Sequence, residues 1–273
     1  MNIVFFIAPN GKAKRLAESL KKISEIRNHS VSIVELGSDK IDNSVFKNSQ
    51  VIISIGGDGT FLKASHFAIE NDIPILGLNA GTLGFLTEAG FDESEHVFCK
   101  YLDGEYEIKP RIALECSVKK DDKIFFSNFA LNEAVVYRSE FTRLLTLSFF
   151  INEDYGGTYR ADGLIISTPS GSTAYSLSAG GPIISPDVEC MILTAVSPHT
   201  LSARPLIIPT DKVLRIYDKK DSDYMAISLD GHLTYKLSAG DEVFIKKMQN
   251  SLKTISFNKD FYATIREKLG WTE

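Results

Sequence analysis

Val51-Ile52-Ile53-Ser54-Ile55 runs directly into Gly56-Gly57-Asp58-Gly59-Thr60, and this junction decides how the chain is read. A β-branched run ending in glycines is how a buried strand delivers its backbone to a phosphate. A helix predicted from Thr60 onward, with residues 61–69 at helical spacing, would aim its unpaired N–H groups at the same point. Asp58 is the odd member, because a carboxylate repels phosphate. It suits binding a metal, orienting a hydroxyl or accepting a proton. On the pentapeptide alone, an acidic cap on a tight strand-to-helix turn is the competing reading.

Outward from this junction the N-terminal part alternates strand and helix signals. Residues 3–7 form an apolar run ended by Pro9-Asn10-Gly11, and residues 12–23 carry Leu16, Leu20 and Ile23 at helical spacing. Residues 31–36 alternate apolar and polar side chains, and residues 73–78 repeat the near-continuous apolar pattern. This βαβ rhythm predicts a parallel sheet between helices, with ligands beyond the carboxyl ends of the strands. After Gly104 the character changes to strand-like segments at 111–119, 123–137, 144–151, 163–167, 213–217 and 242–247. Turn signals such as Asp154-Tyr155-Gly156-Gly157 separate them, so a second, mostly β domain is expected. Residues 259–269 look helical again.

Composition narrows the function classes. The 273 residues, 44% hydrophobic and 24% charged, are enough for a sizeable core and two domains. A formal net charge of −5, without a dense Lys/Arg block, argues against a nucleic-acid binder. It also means that a phosphate-rich ligand needs local cations, helix N-termini or a divalent metal. Cys99, Cys116 and Cys190 lack CxxC spacing, so neither a zinc site nor a disulfide framework is signalled. Residues 3–8 are too short for a signal sequence core, and no run approaches membrane-spanning length. The expectation is a cytoplasmic protein without a membrane partner.

Two further clusters carry chemistry. Asn132-Glu133 follow the strand-like stretch 125–131, and neighbouring side chains on a strand serve one ligand only where the strand ends or bends. An amide beside a carboxylate suits a base edge or ribose hydroxyls; the alternative is a solvated strand end. Residues 159–182, YRADGLIISTPSGSTAYSLSAGGP, crowd Ser167, Thr168, Ser170, Ser172, Thr173, Ser176 and Ser178 among Gly171, Gly180 and Gly181. Arg160 and Asp162 precede this loop and Tyr175 offers an aromatic face. A Ser/Gly linker competes, but Pro169, Tyr175 and Pro182 are unlike a mere spacer.

GGDGT after a strand, NE after a later strand and the YRADGLIISTPSGSTAYSLSAGGPII segment, in that order, closely resemble the bacterial and archaeal NAD kinase family. The similarity takes in residues 79–86 (NAGTLGFL), 197–205 (SPHTLSARP) and 229–232 (LDGH), so it runs over most of the chain. It implies transfer of the terminal phosphate of ATP, another nucleoside triphosphate or polyphosphate to the 2′-hydroxyl of the adenosine ribose of NAD. The implied fold is an α/β domain over residues 1–103 and a β-rich NAD-binding domain over 104–256, with the helix in 257–273 packing back on the first. By motif match Asp58 is the proton acceptor, with Gly59 and Lys63 contacting ligand and Phe85 lining the pocket. Asn132 and Glu133 match the NAD-binding pair, Arg143 and Arg160 match ligand-contacting positions, and Asp162 matches a carboxylate near the ribose. Thr173, Ala174, Tyr175, Ser176, Leu177 and Ser178 match the adenosine loop, with Tyr175 stacking.

Ser197 and His232 align with positions that vary in residue type, and a plain surface-turn histidine is the alternative for His232. In many relatives the residue matching Ser197 comes from a neighbouring subunit, which implies a homo-oligomer, dimer or tetramer. Mg²⁺ bridging the phosphates is the simplest way to bring two anionic ligands together, and Asp58 serves either as base or as metal holder. A lipid kinase of the diacylglycerol type and a non-catalytic NAD(H) sensor are the rival readings; no amphipathic basic stretch supports the first.

Overall fold

Apolar strands without alternation need cover on both faces, and the N-terminal sheet supplies it. The computed structural model describes residues 1–37, 41–140, 144–220 and 224–270. The chain divides into two units, one made of Met1–Arg111 with the segment from Ser251 onward, the other of Ile112–Asn250.

In the first unit β1 (Asn2–Ile7), β2 (Ser30–Glu35), β3 (Val51–Ile55) and β4 (Ile75–Leu78) are parallel, in the spatial order β2-β1-β3-β4. The strand Leu252–Ser256 adds parallel to β4, and β5 (Glu107–Arg111) closes the edge antiparallel to it. Helices α1 (Gly11–Ile26), α2 (Ser44–Lys47), α3 (Asp58–Glu70) and α4 (Ser94–Leu102) cover the faces. Ile3, Phe5 and Ile7 of β1 pack with Leu16 and Leu20 of α1 and Phe98 of α4. Phe6 points the other way, towards Phe67 of α3, which stacks on Phe46 of α2 at 4.5 Å. The order β2-β1-β3 reverses direction between β1 and β3, and a crevice opens at such a switch point.

Two differences from the sequence reading matter for the site. Helix α3 starts at Asp58, earlier than the expected Thr60, with Gly57 as the extended N-cap (φ −85°, ψ −175°). The acid thus occupies the first turn, where a negative charge is favoured by the helix dipole. In addition, β5 and the strand Leu252–Ser256 belong to the first unit's sheet, although a division at 103/104 and 256/257 assigned them to the second domain.

The second unit is antiparallel throughout its described pairings. One six-stranded sheet runs β10 (Asp154–Ala161), β9 (Leu145–Ile151), β14 (Leu214–Asp218), β17 (Glu242–Lys247), β6 (Leu114–Lys120), β7 (Lys123–Ala130). The other runs β13 (Leu206–Pro209), β12 (Cys190–Val196), β11 (Gly163–Ser167), β8 (Glu133–Arg138), β15 (Met225–Leu229), β16 (Leu233–Leu237). Leu147, Ile216 and Ile245 from the first join Val136, Ile166, Leu193 and Ile227 from the second in one buried core. The stretch read as one strand over 123–137 is two, β7 and β8, interrupted at Leu131-Asn132. The glycine pair read as a turn lies inside β10, where the register shifts between Tyr155 and Gly157. Short helix α5 (Tyr175–Ser178) follows β11, and α6 (Phe261–Leu269) ends the described chain in the first unit. Cys99, Cys116 and Cys190 are free thiols.

Phe98 is fully buried and meets Phe5 edge-on at 5.9 Å and Tyr101 at 6.2 Å. Phe98→Ala is expected to destabilise the first unit by about 3–5 kcal/mol, read as a lower urea midpoint with the cooperativity unchanged.

Candidate functional site

The first group of site residues gathers at the carboxyl ends of β1, β3 and β4. A cavity of ≈ 400 Å³ is lined by Asn10, Gly11 and Lys12 after β1, Gly57 after β3, and Asn79, Ala80 and Gly81 after β4. Helices α1 and α3 both begin here, so their first-turn N–H groups lack intrahelical acceptors. Asn10 caps α1 by accepting from Ala13 N at 2.9 Å. Lys12, absent from the sequence-derived set, supplies a cation at the crevice; the Pro9-Asn10-Gly11 turn before it was visible only as a strand end. Lys63 is exposed on α3, one turn beyond Gly59.

Asp58 is fastened by the loop that follows β4. Its Oδ2 accepts from Phe85 N at 3.0 Å and its Oδ1 from Leu86 N at 3.1 Å. Gly84 permits the approach, because a Cβ there would overlap the Asp58 carboxylate. The loop itself is knitted by Thr87, whose Oγ1 accepts from Gly84 N at 2.9 Å, and by Asn79 Oδ1, which accepts from Gly81 N at 3.0 Å. Phe85 is half-buried beside the acid. A carboxylate oxygen has two lone pairs, so each oxygen of Asp58 keeps one for a further donor.

The second group lies in the second unit, around the break between β7 and β8. Asp230, on the turn after β15, accepts from Leu131 N, Asn132 N and Glu133 N at 2.8, 2.8 and 3.1 Å. Its own N–H donates to Glu133 O at 3.0 Å. From the other side Thr168 Oγ1 donates to Leu131 O at 2.6 Å, and Thr168 N donates to Asn132 O at 2.8 Å. Gly171 sits against that same Asn132 carbonyl, where a Cβ would overlap it. The bend needed to present Asn132 and Glu133 together is therefore held by Asp230 and Thr168. Neither was singled out as a site residue, and the LDGH motif drew attention to His232 instead.

Asn132 and Glu133 are buried, yet Asn132 Oδ1 and Glu133 Oε2 have no hydrogen-bond partner among the described residues. Burial, with the Asp230 carboxylate adding to it, pushes the Glu133 carboxyl up to about 8. Two orphaned buried acceptors are costly unless a ligand brings donors to them.

Asp162 and Tyr175 line one cavity of ≈ 400 Å³ with Val135, Tyr137, Arg138 and Val196. Arg138 Nε pairs with Asp162 Oδ1 at 3.0 Å, and the exposed Tyr175 ring offers a stacking face. Arg160 lines a different cavity, with Tyr159, His199 and Thr200. Of the serine-rich segment, Ser176 is fully buried with its hydroxyl against Thr194 Oγ1 at 3.2 Å, and Ser172 is bonded to Pro169 O and Ile184. Thr173, Ala174 and Leu177 are half-buried and Ser178 exposed along the 3₁₀ turn and α5. Ser197 is exposed at φ 46°, and exposed His232 has its Nδ1 3.1 Å from Asp230 O. Arg143 lies outside the described residues.

Among the described residues no group of three or more His, Cys, Asp or Glu side chains could hold a metal ion. None of the helices described is long and apolar enough to cross a membrane.

Comparisons with known proteins converge on one family. Residues 3–106 match the ATP-NAD kinase N-terminal domain and residues 131–257 the ATP-NAD kinase C-terminal domain. The chain is 36% identical over 261 residues to the NAD kinase of Tolumonas auensis, covering 94% of this chain and 85% of that one. It is 40% identical over 228 residues to the NAD kinase of Caldanaerobacter subterraneus, covering 83% and 81%. Yeast NADH kinase complexed with NADH superimposes with a TM-score of 0.88 at 26% identity, over 100% of this chain and 88% of that one. An Archaeoglobus fulgidus NAD kinase in complex with ATP shares the fold, with a TM-score of 0.78 at 24% identity over 99% and 98%. The chain belongs to the NAD kinase family.

Proposed function

We propose a division of labour among these residues for the family's reaction, transfer of phosphate from ATP or another nucleoside triphosphate to NAD. It rests, in the first unit, on the fastened carboxylate of Asp58 and, in the second, on two buried acceptors without partners among the described residues, Asn132 Oδ1 and Glu133 Oε2. The N–H groups opening α1 and α3, with Lys12 and Lys63, neutralise the donor's phosphates. Asn132 and Glu133 accept from the nucleoside of NAD, Asp162 lies by its ribose, and Tyr175 stacks on its base. Phe85, Arg143, Arg160 and the 173–178 segment complete the nucleotide contacts.

The acceptor is the 2′-hydroxyl of the adenosine ribose. As its oxygen bonds to the γ-phosphorus, the bond from phosphorus to the β-phosphate oxygen breaks, and Asp58 takes the hydroxyl proton on a remaining lone pair. Little covalent work falls to the protein, so the fixed position of the carboxylate is its main contribution. Asp58 is the carboxylate that would hold Mg²⁺ here, and the ion would offset the phosphate charge. Polyphosphate would serve as an alternative donor, because N–H groups and lysines recognise phosphate charge without a base. Exposed Ser197 supports completion of the pocket in a homo-oligomer, and the low count of unpaired cysteines supports a cytoplasmic setting.

Asp58→Asn is expected to lower turnover by about 10²–10⁴-fold with NAD binding intact, measured by an NADP-specific coupled assay and by calorimetry. Retention of more than about a tenth of turnover would remove Asp58 from the base role. The pH dependence of NAD binding tests Glu133. In the free protein its carboxyl titrates at about 8, and a ribose hydroxyl donating to Oε2 favours the ionised form. Binding then releases a proton below about pH 8, so affinity rises with pH towards 8 and levels above it. Glu133→Gln should flatten that profile in calorimetry, and a pH-dependent profile surviving in the variant would refute the assignment.

A further inference from the structure

The loop that fastens Asp58 is itself held from its far side by a lysine that no motif includes. Lys259, between the strand Leu252–Ser256 and α6, donates from Nζ to Gly84 O at 2.5 Å and to Thr87 O at 2.8 Å. Gly84 O and Phe85 N belong to one peptide group. The same planar unit thus accepts from an ammonium at one end and donates to Asp58 Oδ2 at 3.0 Å at the other. A cation on the carbonyl oxygen polarises that peptide and strengthens its N–H as a donor. The neighbouring segment is tied down as well, with Glu88 Oε2 accepting from Phe257 N at 2.9 Å.

We propose that Lys259 is a positioning residue for phosphoryl transfer, acting on Asp58 through the Gly84–Phe85 peptide. This rests on the reading of Asp58 as proton acceptor. All the groups concerned lie in the first unit. Lys259 also lines a cavity of ≈ 500 Å³ together with Glu88, Asp92, Glu93, His96, Asp260 and Glu267, so it is reachable from solvent. Burial lowers its ammonium to about 8; Glu88, Asp58 and Glu267 oppose that shift and Arg111 adds to it. Below that pH the charged form grips both carbonyls, and above it the grip weakens.

The test measures kcat, both KM values and their pH profiles for Lys259→Met and Lys259→Arg, alone and with Asp58→Asn. Lys259→Met is expected to lower kcat by about 10–100-fold, with the KM for NAD and for ATP within about threefold of the wild type. Lys259→Arg, charged at every working pH, should restore most of kcat and lack the fall in kcat above about pH 8 that is expected of the wild type. In the Asp58→Asn background, Lys259→Met should cost little more, because its target is already gone. Thermal melting and calorimetric NAD binding show whether each variant is folded; should Lys259→Met fail to fold, the Lys259→Arg pH profile decides. Wild-type kcat in Lys259→Met, an unchanged alkaline limb in Lys259→Arg, or the full loss repeated on top of Asp58→Asn overturns the proposal. High activity in Asp58→Asn alone overturns the Asp58 reading instead, so the two failures are distinguishable.

Discussion

A single carboxylate, held at both oxygens by consecutive backbone N–H groups, ties the first unit's functional end together. Asp58 opens α3 at the end of β3, and its bonds to Phe85 and Leu86 draw in the loop that follows β4. Neighbouring parallel strands thereby have their carboxyl ends joined through one side chain. The arrangement demands a residue without a Cβ at Gly84 and a helix start that leaves the acid in the first turn. It also explains why an acid can sit in a glycine turn otherwise suited to phosphate. Two backbone N–H dipoles orient its charge, while the N-termini of α1 and α3 and Lys12 border the same crevice.

The second unit solves a matching problem with the opposite polarity of parts. There a carboxylate, Asp230, is spent on structure, gathering three successive N–H groups, while Asn132 Oδ1 and Glu133 Oε2 stay without a partner among the described residues. Leaving two buried acceptors without donors costs stability, and the strands of the sandwich core pay that penalty through their packed apolar faces. The raised carboxyl of Glu133 is the electrostatic trace of the same arrangement.

Much of this was legible in the residue order. The βαβ rhythm was readable because buried parallel strands are apolar without interruption, and amphipathic helices carry a local period. The GGDGT turn, the Asn132-Glu133 pair and the serine-rich loop were readable because their chemistry is unusual for their setting. The strand Leu252–Ser256 was missed, since its pairing with β5 joins residues far apart in the chain and its composition is unremarkable. The β10 glycines read as a turn because a bulge and a turn use the same residue types. Within the hydroxyl-rich 167–178 segment, Ser172 and Ser176 also bond inside the protein, to partners that the residue order does not reveal.

The sequence by itself determined the family, the two-part fold class and the acid that we propose as proton acceptor, because these depend on local patterns and on motifs contiguous in the chain. Only the tertiary structure decided what holds those residues in place. Asp230 reaches Asn132 across 98 positions, and Lys259 reaches Gly84 across 175. No local propensity encodes such contacts. They are backbone hydrogen bonds made by ordinary Asp and Lys side chains, and they acquire meaning only once the sheets have brought the distant segments within bonding distance.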